Sequence, residues 1–157
     1  MVFADLLQAS WFILPAYFAN ASPVIAYKLL GKYNLPIDFG RKIFGPGKTW
    51  GGLLFGILIG TLVGFLQGNL QLGILLSLGA HTGDLVGSLI KRRLGFERGN
   101  AFPGMDQLGF LAFAILFAYP IAKPSLVQIL ILLILTPAIH VGANVVAFLL
   151  KLKKEWY

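Results

Sequence analysis

Cysteine is missing from this chain altogether, which excludes a disulfide framework, a thiolate metal site and a cysteine nucleophile. Charge is scarce as well. Only 12% of the residues are Asp, Glu, Lys or Arg, about half of what a soluble domain carries, while 57% are hydrophobic. Acids are the rarest charge, six against thirteen Lys and Arg, so each acid near an apolar stretch demands a reason. No basic segment precedes the first apolar run, which starts at Leu6 behind Asp5, so the N-terminus does not read as a cleaved signal. What remains is the composition of one all-α membrane domain covering 1–157.

Charge-free runs place the crossings. Residues 6–27 hold no charge and suffice for one span, and 49–83 form a second run too long for one helix. Gln67-Gly-Asn-Leu-Gln71 breaks that run into spans at roughly 50–66 and 72–90. A short stretch, 107–122, and a longer one, 125–150, complete five transmembrane helices. With five spans, twelve of the thirteen cations fall on one side, in the first loop (Lys28, Lys32, Arg41, Lys42, Lys48), the third (Lys91, Arg92, Arg93, Arg98) and the C-terminus (Lys151, Lys153, Lys154). Only Lys123 lies opposite. The excess of cytoplasmic cations in membrane proteins then sets the N-terminus outside and the C-terminus in the cytoplasm. This basic balance is accounted for by topology, so no nucleic-acid partner is implied, and no protein partner is evident.

Glycine recurs every fourth residue at Gly52, Gly56, Gly60, Gly64 and Gly68, and again at Gly79, Gly83 and Gly87. Such stripes let helix backbones approach closely in lipid, and a tightly packed hairpin is the expectation.

The chemistry concentrates in 83–110. On a helix, Asp84, Ser88, Lys91 and Arg92 stand at i, i+4, i+7 and i+8 and share one face, which His81 joins. A carboxylate in an apolar helix faces a polar cavity or an ion pair, here with Lys91 or Arg92. Asp106 opens the next helix after Pro103-Gly104. Gly45-Pro-Gly-Lys-Thr49 looks like a phosphate loop but fails the Walker pattern, since Lys42 stands where its first glycine belongs. Lys48 and Thr49 at a helix start suit a phosphate all the same; the other reading is an interfacial anchor with Trp50. His81 reads as an interhelical hydrogen bonder in preference to a ligand. Asn20, His140 and Asn144 are either interhelical contacts or part of one polar pocket level with Asp84. Two acids, several cations and no evident nucleophile point to chemistry on phosphates with a divalent metal, where alignment and charge neutralisation are the catalyst's task. A phosphate monoester, largely dianionic at neutral pH, needs no strong base.

Taken together, Lys48-Thr-Trp-Gly51, Gly83-Asp-x3-Ser88-x2-Lys91-Arg92 and Pro103-Gly-x-Asp106-Gln107, with Asn20-x-x-Pro23 and the basic C-terminus, resemble the archaeal CDP-archaeol synthases. These are similar to the phosphatidate cytidylyltransferases. The resemblance implies a multi-pass cell-membrane enzyme of phospholipid biosynthesis with its site facing the cytoplasm. Its reaction would be transfer of CMP from CTP to 2,3-bis-O-geranylgeranylglycerol 1-phosphate, giving CDP-archaeol and pyrophosphate with Mg²⁺. On that reading Asp84 and Asp106 hold the metal, and Lys91, Arg92 and Lys48 neutralise phosphates. Asn20, Thr49, Ser88, Gln107 and Asn144 bind substrate, and membrane lipid surrounds the isoprenoid chains. The chain departs from the broader cytidylyltransferase signature. Glu97-Arg98 stands where Lys-Asp would be, and Pro103-Gly104 runs into Asp106-Gln107 without a His-Gly-Gly insert, which favours the short archaeal branch. Two alternatives share some features: a CDP-diacylglycerol synthase acting on ester-linked phosphatidate, and a transporter using intramembrane Asp and His. The latter predicts inverted repeats that five unequal spans do not display.

Overall fold

The computed structural model describes residues 2–152 except Lys42, Pro46, Arg98, Gly99 and Ala101, and omits the side chain of Lys32. Expectations resting on Lys42, Arg98, Lys153 and Lys154 lie outside the described residues. Six α-helices account for most of what is described: α1 (Val2–Ala21), α2 (Pro23–Leu30), α3 (Trp50–Leu66), α4 (Leu70–Arg93), α5 (Met105–Ala118) and α6 (Leu126–Leu149).

The first apolar run is not one helix. It breaks at Ser22, because Pro23 has no N–H to donate and takes the first position of α2, where that donor would be unpaired in any case. Ser22 itself keeps helical dihedrals, its amide donates to Phe18 O and its hydroxyl to Ala19 O, so α1 and α2 form one jointed stretch over 2–30. The hairpin falls where Gln67-Gly68-Asn69 predicts it. Gly68 takes a positive φ of 79° and Asn69 caps α4 by accepting from Leu72 N. Gly68 is therefore a turn residue and not the fifth member of the packing stripe. α5 stops at Ala118, short of the expected 122, since Tyr119 to Pro124 turn the chain toward Ser125. There Ser125 and Gln128 cap the start of α6 reciprocally.

α4 is the central helix, packed against α1, α3 and α5. Small residues make this possible. Gly52, Gly56, Gly60 and Gly64 are all buried, and a side chain at Gly64 would run into the backbone of Gly73 across the hairpin. On the other side of α4, Gly79 and Gly83 lie against the backbone of Phe113 and Gly109 in α5. The core between the helices is correspondingly small-residue rich: Ala9, Ala16, Ala80, Ala114 and Ala118, with Ile13, Leu76, Leu111 and Leu132 filling the gaps. α6 is joined to α1 by two polar contacts, Tyr17 Oη with Thr136 Oγ1 at 2.7 Å and Gln128 Nε2 donating to Gln8 Oε1 at 3.0 Å. The outer surface is Leu, Ile, Val, Phe and Trp. Three stretches, 2–30, 70–93 and 126–149, are long and apolar enough to cross a membrane, and α3 and α5 are shorter apolar helices. An all-helical bundle with such a surface is a membrane protein.

Candidate active site

Three segments meet at one end of α4: the loop from Asn34 to Thr49, the last three turns of α4, and the start of α5. The loop is a long connection, and its described residues are tied down at several points. Ile37 N donates to Lys48 O (2.9 Å) and Trp50 N to Leu35 O (3.0 Å), an isolated antiparallel bridge between Pro36 and Thr49 that closes the loop on itself. Asn34 Oδ1 accepts from Gly51 N at 3.1 Å, at the start of α3. Asp38 sits inside the loop, only 5% exposed, and accepts from Gly40, Phe44 and Gly45 amides at 3.0–3.2 Å.

Helical periodicity then does what the spacing predicts. Asp84, Ser88, Lys91 and Arg92 all line one open cavity of about 210 Å³, facing Phe44, Gly45, Gly47 and Lys48 of the loop and Met105, Asp106 and Phe110 of α5. Two ion pairs cross it. Lys48 Nζ lies 2.5 Å from Asp84 Oδ2, and Lys91 Nζ bonds both Asp106 oxygens at 3.0 and 2.9 Å. The sequence offers Lys91 or Arg92 on the same helix as the alternative to a polar cavity for Asp84; the structure gives it Lys48 from the loop and sends Lys91 to α5. The helical neighbour loses because Asp106 sits at the start of α5, opposite Lys91. There the carboxylate is favoured by the helix dipole and accepts Phe102 N at 2.8 Å.

Arg92 is differently placed. Its Nη2 donates to Glu97 O at 3.3 Å, while its Nε is buried with no acceptor, and among the described residues it forms no ion pair. With three cations against two carboxylates around it, the cavity favours an anion, and Arg92 Nε is a donor without an acceptor.

Not every predicted residue joins this cavity. Thr49 caps α3, its Oγ1 accepting from Gly52 N, and Gln107 Oε1 accepts from Gly104 N at 2.6 Å; both position helix starts beside the cavity without lining it. Asn20 lies outside the lining too, as do His140 and Asn144, whose Nδ1 and Nδ2 lie 3.4 Å apart on α6. His140 stacks at 6.3 Å on Phe110, which lines the site. His81 is buried against Gly56, where its ring fills the notch left by the missing side chain. Residues that sequence reasoning passed over are Asp38, Phe44, Met105 and Phe110. Only Asp38 carried a local signal, since Asp-x-Gly is the pattern of a side chain closing a turn on the amide two residues ahead.

The oxygen donors suit a hard cation: two carboxylates and the Ser88 hydroxyl line one cavity. No group of three or more His, Asp or Glu gathers among the described residues, so a closed protein cage is absent there. Magnesium asks for less, commonly one or two carboxylates together with water and substrate phosphates, and the residues fit it.

The CarS-like family, described as CDP-archaeol synthase, matches residues 2–157. A CDP-archaeol synthase of Pyrococcus horikoshii is 46% identical, covering 96% of each chain, and one of Thermococcus gammatolerans is 51% identical, covering 92% of each. Among solved structures, an intramembrane enzyme for archaeal membrane lipid biosynthesis superposes with a TM-score of 0.75 at 34% identity, over 89% of this chain and 94% of that one. Sequence and fold match these relatives along nearly the whole length, and the chain belongs to the CDP-archaeol synthase family.

Proposed function

We propose that the cavity between the 34–49 loop, α4 and α5 is where CMP passes from CTP to an isoprenoid ether-lipid phosphate. Formation of CDP-archaeol follows from the family. An oxygen of the lipid phosphate attacks the α-phosphorus of CTP, a new P–O bond forms, the bond to the β-phosphate breaks, and pyrophosphate leaves. The nucleophile arrives largely dianionic, so the protein's work is to hold two anions in line against their repulsion. The observation that carries this reading is the convergence of Lys48, Lys91 and Arg92 with Asp84 and Asp106 on one cavity, one of the donors being buried and unpaired.

Arg92 and the two lysines neutralise the phosphates, and Ser88 supplies a hydrogen bond. At about 210 Å³ the cavity is smaller than a site of about 300 Å³ or more for a drug-sized ligand, which supports seating the phosphates there and the cytidine outside it. Asp84 and Asp106 would hold Mg²⁺, which when bound would withdraw charge from the phosphate oxygens. Asp84 is the readier of the two, because only its Oδ2 is engaged among the described residues, whereas Asp106 uses both oxygens on Lys91 and one on Phe102.

The same reading sets the molecule in the cell membrane with five crossings: α1 with α2, then α3, α4, α5 and α6. The loops at 31–49 and 94–104 and the C-terminus then share one face, which the cation distribution makes cytoplasmic. At about 1.5 Å per residue, α5 reaches only about 21 Å, so its acidic start is drawn below the membrane surface, level with the cavity. Product analysis tests the reading. Purified protein given CTP and Mg²⁺ should convert the geranylgeranyl ether-lipid phosphate to its CDP derivative and release pyrophosphate. Conversion of ester-linked phosphatidate alone would reassign the lipid, and absence of any CMP transfer would end the proposal.

A further inference from the structure

Asp38 is a carboxylate with no chemistry assigned to it, in the least regular part of the chain. Its surroundings explain why it is there. Oδ1 accepts from Gly40 N at 3.1 Å, and Oδ2 accepts from Phe44 N at 3.0 Å and Gly45 N at 3.2 Å. Among the described residues it forms no ion pair, so its charge is spent on backbone amides alone. Charge-assisted bonds of this kind are stronger than neutral ones, and three on one side chain fix a loop that helix and sheet leave unsupported.

The bonds continue from there to the cavity. Gly45, held by its amide, turns at a φ of 89°, and its carbonyl accepts Lys48 N at 3.1 Å. The Lys48 side chain then crosses to Asp84. Gly45 also forms the wall behind Arg92; a side chain there would stand 3.7 Å from Arg92 Cδ. One carboxylate thereby fixes the backbone that carries one phosphate-facing cation and shapes the bed of another.

We infer that Asp38 is a positioning residue for nucleotide binding, acting through Lys48 by clamping the Phe44 and Gly45 amides. This rests on the reading of Lys48 as a phosphate ligand given above. A loop released from Asp38 lets Lys48 wander, and misplacement of a binding group by about 1 Å can cost on the order of a hundredfold. The effect should appear as a raised KM for CTP and a weakened CTP Kd, with the KM for the lipid phosphate moved less.

The experiment is a double-mutant cycle on the full-length protein in detergent, with CTP, Mg²⁺ and the ether-lipid phosphate: wild type, Asp38→Ala, Lys48→Ala and the pair. Thermal midpoints and CTP Kd are measured on the same preparations. Asp38→Ala is expected to lower kcat/KM for CTP about tenfold to a hundredfold. In the Lys48→Ala background the same change should cost no more than about twofold, the scatter expected of an interaction already lost. Equal losses in both backgrounds would mean that Asp38 does not act through Lys48 and would overturn the inference. Asp38→Ala with wild-type kinetics per folded molecule would also overturn it, leaving Lys48 intact as a ligand. If Lys48→Ala is itself silent, the inference falls with the Lys48 role, while product formation by wild type still upholds CMP transfer. Should Asp38→Ala not fold, Asp38→Asn keeps the shape and one acceptor oxygen. It is expected to lie between wild type and Lys48→Ala, and wild-type CTP affinity in that variant counts against the inference.

Discussion

Lys48 Nζ lies 2.5 Å from Asp84 Oδ2, across a gap of thirty-six positions in the chain. The contact joins the loop that closes over the cavity to the helix at the centre of the bundle. On the proposed reading it also neutralises two groups that would face the phosphates and the metal. A lysine that served only as an interfacial anchor would have no need of this partner.

Removal of that lysine separates the two readings. Lys48→Ala should leave the bundle folded, since the loop keeps its bridge, its Asn34 bond and the Asp38 clamp. A charge-assisted contact is worth about 1.5–3 kcal/mol, so kcat/KM for CTP should fall roughly ten- to hundredfold. Steady-state kinetics on folded protein check it; unchanged values would return Lys48 to the anchor role.

The topology can be read chemically, because the chain has no cysteine of its own. Single cysteines at Arg41, Arg93 and Lys151 should resist an impermeant thiol reagent in intact cells, while cysteines at Gln67 and Lys123 should react. Reaction at the first three and protection of the other two would invert the orientation. A mixed pattern within the first set would break the count of five crossings.

Packing along the glycine stripe makes a sharper demand than hydrophobicity alone. A methyl at Gly64 meets the backbone of Gly73, which has no side chain to swing aside, so α3 and α4 must separate. Overpacking of this kind costs about 1–3 kcal/mol. Gly64→Ala should lower the thermal midpoint, whereas Gly142→Ala on α6, with open space around it, should not. Equal midpoints for the two variants would disprove the close contact.

Acid should loosen the loop at a definable pH. Burial alone would push the Asp38 carboxyl up, but the amides of Phe44, Gly40, Gly45 and Ile43 outweigh it and hold it below its ordinary value. A carboxyl whose folded pKa is depressed lends stability that is complete above the unfolded pKa, about 3.9, and is lost as pH falls through the folded value. The stability difference between wild type and Asp38→Asn should thus be flat from pH 8 to about pH 5 and shrink below about pH 4. A difference that grows with acid would contradict the sign.

Much of the cavity lining was legible because those residues lie on one helix. Asp84, Ser88, Lys91 and Arg92 obey a 3.6-residue period, and period survives folding. The hairpin at Gly68 and the helix start at Asp106 were legible for the same reason, as local backbone chemistry. What escaped was long-range. Nothing near Asp84 in sequence announces Lys48, because loop closure and not helical spacing brings them together, and the ion-pair alternative there named only Lys91 or Arg92. The break at Ser22 was hidden by an apolar run that continues through it. Asn20, Thr49, Gln107 and Asn144 had the right polarity and height for a pocket, but height along a span does not say which way a side chain faces, and none of the four lines the cavity.

The two acids carry the proposed mechanism, and their surroundings are unequal. Asparagine keeps the size and one oxygen of aspartate but removes the charge, so Asp84→Asn and Asp106→Asn should each nearly abolish turnover, with little recovered by raising Mg²⁺. Their stabilities should differ. Asp84 is engaged by Lys48 alone among the described residues, at a half-open position where the freed ammonium can reach water. Asp106 accepts Lys91 with both oxygens and Phe102 N as well, so its asparagine must turn an amide N–H₂ toward a donor and weaken the start of α5. Asp84→Asn is therefore expected to be inactive with a near-native thermal midpoint, and Asp106→Asn inactive with a lowered one. Magnesium-dependent stabilisation by a non-hydrolysable CTP analogue should vanish in both. Activity and midpoint must come from the same preparations, because the rival account of Asp84 as a purely structural partner of Lys48 predicts the reverse: a destabilised protein whose folded fraction still turns over. Retained specific activity in Asp84→Asn would sink the proposed mechanism whatever the behaviour of Asp106→Asn.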